Sequence, residues 1–422
     1  MFHLSLFIFT AFVIVLMAKL YKFAMGNTDE HATENEPYVF KVFKYIKVES
    51  NTIQQQQPLA RSGHRIVADS KYLYSFGGYN PQIPADYQRR REDEDFPLFQ
   101  ELWKFNFASR EWSLFSICGT LPLELASNAV VRLGSYLMVY GGTGSPFGTR
   151  CSNSLYLCSL KDDTSKMMEI NTTGQLPIPQ YGQALVYHNN YLYTIGGTTG
   201  YAYSCDIHRL NLTTRVWEQV YICQGNKEHE PPGRYRHEVA FTGTDVYILG
   251  GGTAEVAYDF KELPVFNLEK REWRSVRTHP DANTPHYGLP KGRRCHGAVQ
   301  NDQEVFICGG SDGTEIFTDL WRLDLRTSVW TRIDTCILPN PTYFHSTAVT
   351  PEGKLVIFGG IISQMGQIKR NNWVYTTWLR IPKLSEMCFE ALLHYRPVLT
   401  KYNNDELISI GMPRHFIHRL QQ

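Results

Sequence analysis

The alternation of hydrophobic and polar positions resolves into one phrase that recurs six times: an apolar run closed by Gly-Gly. It reads Tyr72-Leu-Tyr-Ser-Phe-Gly77-Gly78 and then Tyr136-Leu-Met-Val-Tyr-Gly141-Gly142. It returns as Tyr191-Leu-Tyr-Thr-Ile-Gly196-Gly197 and Val246-Tyr-Ile-Leu-Gly250-Gly251. The last two are Val305-Phe-Ile-Cys-Gly309-Gly310 and Leu355-Val-Ile-Phe-Gly359-Gly360. Successive first glycines lie 64, 55, 54, 59 and 50 residues apart. That period fits one propeller blade per repeat. Runs rich in Val, Ile, Tyr and Phe read as buried strands. The glycines permit backbone conformations that a Cβ forbids and leave room for a neighbouring blade.

A second marker follows in each repeat. Trp103 and Trp112, His208 and Trp217, Pro264 and Trp273, and Trp321 and Trp330 share one spacing. The text between them is turn-like, as in Asn211-Leu-Thr-Thr-Arg215. This predicts a hairpin of third and fourth strands, with the later Trp buried between blades. Burying such a ring contributes about 1.5–3 kcal/mol. In the second repeat Met167 and Met168 stand near that place as a soft filler.

The first strand of each repeat is marked by His64, Ser127, Gln183, His237, His296 and His345. These histidines read as hydrogen-bonded structural residues, because no carboxylate or Cys recurs beside them at metal-ligand spacing. Six blades of four strands follow, but the sixth repeat lacks a fourth strand. Tyr38–Val48 alternates Phe40, Val42, Lys44 and Ile46 and is expected to supply it. Ring closure by an N-terminal strand removes free sheet edges. The expected organisation is residues 1–37 as an apolar segment and disordered linker, 38–380 as an all-β six-bladed propeller, and 381–422 as a helical tail.

Composition narrows the function. Lys plus Arg is 42 and Asp plus Glu is 41, which argues against a general binder of nucleic acid or anionic membrane. Nine cysteines without a Cys-x-x-Cys pair fit a reducing compartment, so a cytoplasmic location is expected, with the nucleus a second compartment. The sequons at Asn171 and Asn211 are read as chance. The mixed-charge run Arg89–Asp95 reads as a solvated loop. The apolar run Leu4–Met17 has three readings: a segment of no function, with translation beginning at Met25 or the run an idle extension; an anchor leaving the propeller in the cytosol; or, last, a secretion signal.

After Pro382 the pattern turns helical. Leu384, Met387, Cys388, Ala391, Leu392 and Tyr395 define one apolar helix face, ended by Pro397. Residues 404–411 read as a capped short helix, and Met412, Phe416 and Leu420 mark a third.

The Gly-Gly strands with their spaced Trp resemble the kelch repeat over about residues 60–378. Leu384-x-x-x-Cys388-x-x-x-Leu392 looks like a BC box, the helix that inserts into elongin C, although Lys383 departs from the small residue or Pro preferred there. Met412-Pro413-x-x-Phe416 resembles a Cul2 box. Longer runs, such as Ala60-Arg-Ser-Gly-His64 and Arg234-Tyr-Arg-His-Glu238, resemble the kelch receptors of cullin-2 RING ubiquitin ligases. The resemblance implies a substrate receptor that reads C-terminal degrons, tails ending in Gly or small residues. Its implied partners are elongins B and C, cullin-2, a RING-box protein and client tails.

Turns entering the first strands and turns after Gly-Gly should open on one face. Residues two before each marker, Ser62, Leu125, Tyr181, Tyr235, Arg294 and Tyr343, are expected to ring one mouth. Arg236 sits one residue after Tyr235, and Tyr79, Tyr201, Tyr203 and Ser311 follow the Gly-Gly pairs. Such an aromatic bowl suits a terminal carboxylate, with Arg294 the first candidate for the charge and Arg236 the second. No cofactor or metal set is expected, and no nucleophile–base motif or phosphate loop is evident. The alternative to a ligase adaptor is a kelch scaffold without a ligase role.

Overall fold

A computed structural model describes residues 37–82, 97–161 and 164–421. The run Leu4–Met17, residues 26–36 of the linker and the Arg89–Asp95 loop lie outside the described residues. The chain divides into two compact units, Val42–Ile381 and a second that joins Pro382–Gln422 to the segment ending at Lys41.

The larger unit is a six-bladed propeller. Blades 1 to 5 follow the chain with four antiparallel strands each, beginning at Arg65–Ala68, Ala129–Leu133, Ala184–His188, Glu238–Thr242 and Gly297–Asn301. Blade 6 contains Ser346–Val349, Lys354–Phe358 and Val374–Trp378, and takes its outer strand from Ile46–Val48. The N-terminal strand therefore closes the ring, but it is shorter than Tyr38–Val48. Phe43 adopts a left-handed backbone (φ 51°), which breaks the extended run, and Val42 makes only a single bridge to Trp378. The six first strands touch one another in a closed cycle.

The buried tryptophans sit where their spacing put them. Trp217 packs on Tyr140 of blade 2 at 5.4 Å and Trp330 on Phe260 of blade 4 at 5.4 Å, while Trp112 meets Phe358 of blade 6 at 5.0 Å. In blade 2 Met167 is buried in that role, whereas Met168 is exposed.

Each first-strand marker is wedged between two glycines. A Cβ on Gly310 would come within 2.7 Å of His296 Cβ, and one on Gly250 within 3.1 Å of the His296 ring. The glycine pair is thus a socket for a side chain of its own blade and one of the next. The marker of blade 2 is Asn128, not Ser127: a Cβ on Gly142 would meet Asn128 Cβ at 3.0 Å. The four histidines are buried, and desolvation, the main cause, holds their pKa below the usual histidine value, with His345 at about 4 and His237 at about 3.

The smaller unit contains helices Leu384–Tyr395, Asn404–Ser409 and Arg414–Leu420. Asn403 caps the second helix: its side chain accepts from Glu406 N at 3.0 Å, and Glu406 Oε2 accepts from Asn403 N at 2.8 Å. Among the described residues no helix is long and apolar enough to cross a membrane.

Candidate functional site

Just before the markers, six residues close a ring of backbone hydrogen bonds around one mouth of the propeller. Ser127 N donates to Gly63 O (2.9 Å), Gly182 N to Ser127 O (2.8 Å) and Arg236 N to Gly182 O (2.8 Å). Cys295 N donates to Arg236 O (3.2 Å), Phe344 N to Cys295 O (2.9 Å) and Gly63 N to Phe344 O (3.2 Å). All six have φ between 53° and 70°. Four of them carry side chains, so each holds a conformation that costs on the order of 1 kcal/mol or more.

Directly above the ring stand Ser62, Ala126, Tyr181, Tyr235, Arg294 and Tyr343, each bridged to the segment after its own Gly-Gly. In blade 2 Ala126, not the expected Leu125, holds the bridged position, and both residues are buried in the core between blades 1 and 2. The difference follows from the one-residue shift of the blade 2 marker to Asn128. Tyr235 is the hub of the aromatic wall, with Tyr203 at 5.6 Å and Tyr181 at 6.2 Å. Burial raises the phenol pKa of Tyr235, Tyr181 and Tyr343, so these rings stay neutral. Tyr201 is 85% exposed and has no ring contact among the described residues.

Arg236 originates in blade 4 and lies across the mouth. Its Nη2 donates to Ser127 Oγ of blade 2 at 2.5 Å, and its guanidinium sits 4.9 Å from the Phe344 ring of blade 6. It is 3% exposed, and Nε has no hydrogen-bond partner. Burial is the main cause that pushes its pKa down to about 10, which leaves it charged at neutral pH. Immediately past the markers, Arg65 of blade 1 and Glu238 of the opposing blade 4 form an ion pair of 2.7 Å. The channel is therefore bridged just past the mouth.

Arg294 is held by the loop after the blade 4 glycines. Its Nη2 donates to Ala254 O at 3.1 Å, while Ala254 N donates to Tyr203 Oη at 2.9 Å. Its Nη1 is buried without a hydrogen-bond partner. A third guanidinium, Arg370, was not legible as a site residue. It ends a hairpin, Ile361–Gln364 with Gln367–Arg370, that branches from blade 6 and pairs with Thr342–Tyr343. The signal was present: Ile361 to Arg370 is two short extended runs around Met365-Gly366, a two-residue turn with φ of 51° and 75°. Arg370 Nε donates to Ser62 Oγ at 2.9 Å and stacks on Tyr79 at 5.0 Å. Among the described residues none of the three arginines forms an ion pair with a carboxylate. The mouth is a cationic, aromatic-walled cup over a channel bridged by Arg65 and Glu238, and its guanidinium N–H groups are donors of the kind that bind anions.

In the helical unit Phe389 stacks on Phe416 at 4.4 Å, and Arg419 lies over Phe389 while pairing with Glu386 at 2.7 Å. The interior face of the first helix is therefore Glu386 and Phe389. The predicted apolar face is not the packed one: Leu384 is 38% exposed, and Cys388 and Leu392 are half-buried. Met412 and Phe416 belong to the interior, and Pro413 is exposed. Tyr38 straps onto this helix, its hydroxyl donating to Glu390 Oε2 at 2.9 Å. Among the described residues no cluster of His, Cys, Asp and Glu could hold a metal.

Sixfold Gly-Gly blades with their wedged markers define a kelch propeller, and the chain belongs to the family described as "KLHDC2/KLHL20/DRC7 Kelch-repeats domain", which matches residues 10–251 and 227–382. It is similar to Kelch domain-containing protein 10 of Xenopus tropicalis, 43% identical over 87% of each chain. It is also similar to the Homo sapiens protein of that name, 41% identical over 86% of this chain and 80% of the relative. The Kelch domain-containing protein 10 homolog of Drosophila melanogaster is 42% identical over 91% of this chain, which spans 66% of that relative's length. These names describe repeats and state no catalytic activity.

Proposed function

We propose that this protein is a non-catalytic substrate receptor of a cullin-2 RING ubiquitin ligase. The propeller mouth binds the C-terminal tail of a client, and the helix Leu384–Tyr395 docks elongin C and, through it, elongin B, cullin-2 and a RING-box protein. One observation carries the reading: Arg236 and Arg294 place buried, unpartnered N–H groups in an aromatic cup where, among the described residues, no carboxylate pairs with either, the nearby Glu238 being engaged by Arg65. A buried cation without an anion is costly, and such a cost is retained where a ligand supplies the missing charge. A chain terminus fits better than an internal acid, because the bridge of Arg65 and Glu238 obstructs threading of a continuing chain. The exposed Leu384, half-buried Cys388 and half-buried Leu392 support the docking role, since they form an apolar stripe that the helical unit leaves largely unused. Met412, Pro413 and Phe416 are assigned to cullin-2 as a group, with Met412 and Phe416 shaping the helix turn and Pro413 presented outward.

The test is fluorescence polarisation with Gly-ended peptides on the full chain. Arg294→Ala is expected to abolish binding while elongin B–C binding persists. Unchanged peptide affinity would remove Arg294 from the site.

A further inference from the structure

The blade 6 hairpin adds a feature that binding of a terminal carboxylate does not require. Arg370 stands at the junction of blades 6 and 1, on Ser62 and Tyr79. Arg294 stands at the junction of blades 5 and 4, on Ala254. Arg236 lies between them across the floor and is the most buried of the three. One carboxylate seated on Arg236 and Arg294 leaves Arg370 without a counterion. Only the Nε of Arg370 is engaged within the chain, so both of its terminal nitrogens are open to a ligand among the described residues. Burial lowers its pKa, which marks a cation held partly out of water, yet it remains charged.

Its mounting is a paired hairpin and an aromatic ring. The chain pairing runs from Tyr343 to Ile361 to Arg370, and the Tyr79 ring carries its guanidinium plane. A side chain fixed by a sheet and a ring loses little freedom when it binds an anion, so its contribution falls on recognition rather than ordering. The hairpin also lifts Ile368 (59% exposed) and Met365 (97% exposed) out of the fold. These give the wall beside Arg370 an apolar outer edge, along which a peptide could run.

We propose that Arg370 is a specificity residue that reads an acidic side chain upstream of the client's last residue. The mouth would then bind tails of two anions: the terminal carboxylate on Arg236 and Arg294, and an Asp or Glu two to five residues earlier on Arg370. This rests on the tail-binding reading above and narrows its substrate class to acidic tails.

The experiment measures Kd by fluorescence polarisation for a neutral Gly-ended peptide and for the same peptide with one Glu at each of the second to fifth positions before the last residue. The full chain is used as wild type, Arg370→Gln and Arg370→Lys. At least one Glu position should bind wild type about fivefold more tightly than the neutral peptide, as expected for a charge-assisted contact at a partly wet rim. Arg370→Gln should erase that preference and leave the neutral peptide unchanged; Arg370→Lys should keep part of it. If no Glu position is preferred, or if Arg370→Gln keeps the preference, the role of Arg370 is overturned while tail binding stands. If no Gly-ended peptide binds wild type at all, both readings fall.

Discussion

Arg236 Nη2 donates to Ser127 Oγ at 2.5 Å, tying blade 4 to blade 2 across the floor of the mouth. The pair is held by main-chain bonds through Gly182, and both residues take left-handed φ. The structure thus spends backbone strain to hold a buried guanidinium that forms no ion pair among the described residues, since the nearby Glu238 is engaged by Arg65.

A consequence can be measured as a trade between stability and binding. Arg236→Ala removes a buried charge that has no ion-pair partner and is opposed by burial and by the Arg65 charge, so thermal unfolding of the propeller should occur at an unchanged or higher temperature. Peptide affinity should fall about tenfold or more, the worth of a charge-assisted contact. A lowered Tm with intact affinity would show that Arg236 serves only the fold.

The opposite result is expected one layer down. Arg65 and Glu238 pair at 2.7 Å between opposing blades, with side chains 14% and 18% exposed. Glu238→Ala alone leaves Arg65 uncompensated and should cost about 3 kcal/mol in urea unfolding. Arg65→Met with Glu238→Leu should recover most of that loss. Additive losses in the double variant would mean that the two side chains act independently.

Acid sensitivity follows from the wedged histidines. Their folded pKa values lie below the unfolded value of about 6.5, so the unfolded chain takes up protons first as pH falls. Stability is full above pH of about 6.5 and is lost as pH drops toward the folded values, about 4 for His345 and about 3 for His237. Each histidine adds a slope of up to about 1.4 kcal/mol per pH unit in that window. His237→Gln should remove one share of the slope between pH 6.5 and 5. Blade 3 carries Gln183 in the equivalent socket, so the substitution fits the fold. An unchanged slope would place the acid sensitivity elsewhere.

The closing strand gives a third kind of test. Ile46–Val48 supplies the outer edge of blade 6, and the buried Tyr45 beside it packs among Cys308, Cys336 and Leu355. Deleting residues 42–50 should expose the edge of Val374–Trp378 and yield insoluble protein. A soluble truncation with the parent melting curve would show that the ring closes without it.

Much of this was legible in the chain because the repeat speaks in backbone terms. Gly-Gly after an apolar run, a marker residue and a spaced Trp are packing demands, and they placed six blades, the closing edge and five of the six rim positions. Blade 2 failed by one residue because Asn128 fills the socket where Ser127 looked like the marker; only the contact with Gly142 separates them. Arg370 was missed because its hairpin departs from the repeat, and a repeat-based reading discards what does not recur. The first tail helix shows a different limit. Its apolar stripe was found, but periodicity alone does not say whether a stripe meets its own fold or a partner. Phe389 against Phe416 decides that the interior lies on another face.

The central claim is tested most directly by biolayer interferometry of the purified chain on an immobilised elongin B–elongin C complex. Wild type should bind, and Leu384→Asp with Cys388→Asp should lose about a hundredfold or more in affinity at an unchanged Tm, since exposed Leu384 and half-buried Cys388 lie outside the helical core. Equal affinity of the double variant and wild type, or no binding by either, would contradict the account and leave a kelch scaffold without a ligase role.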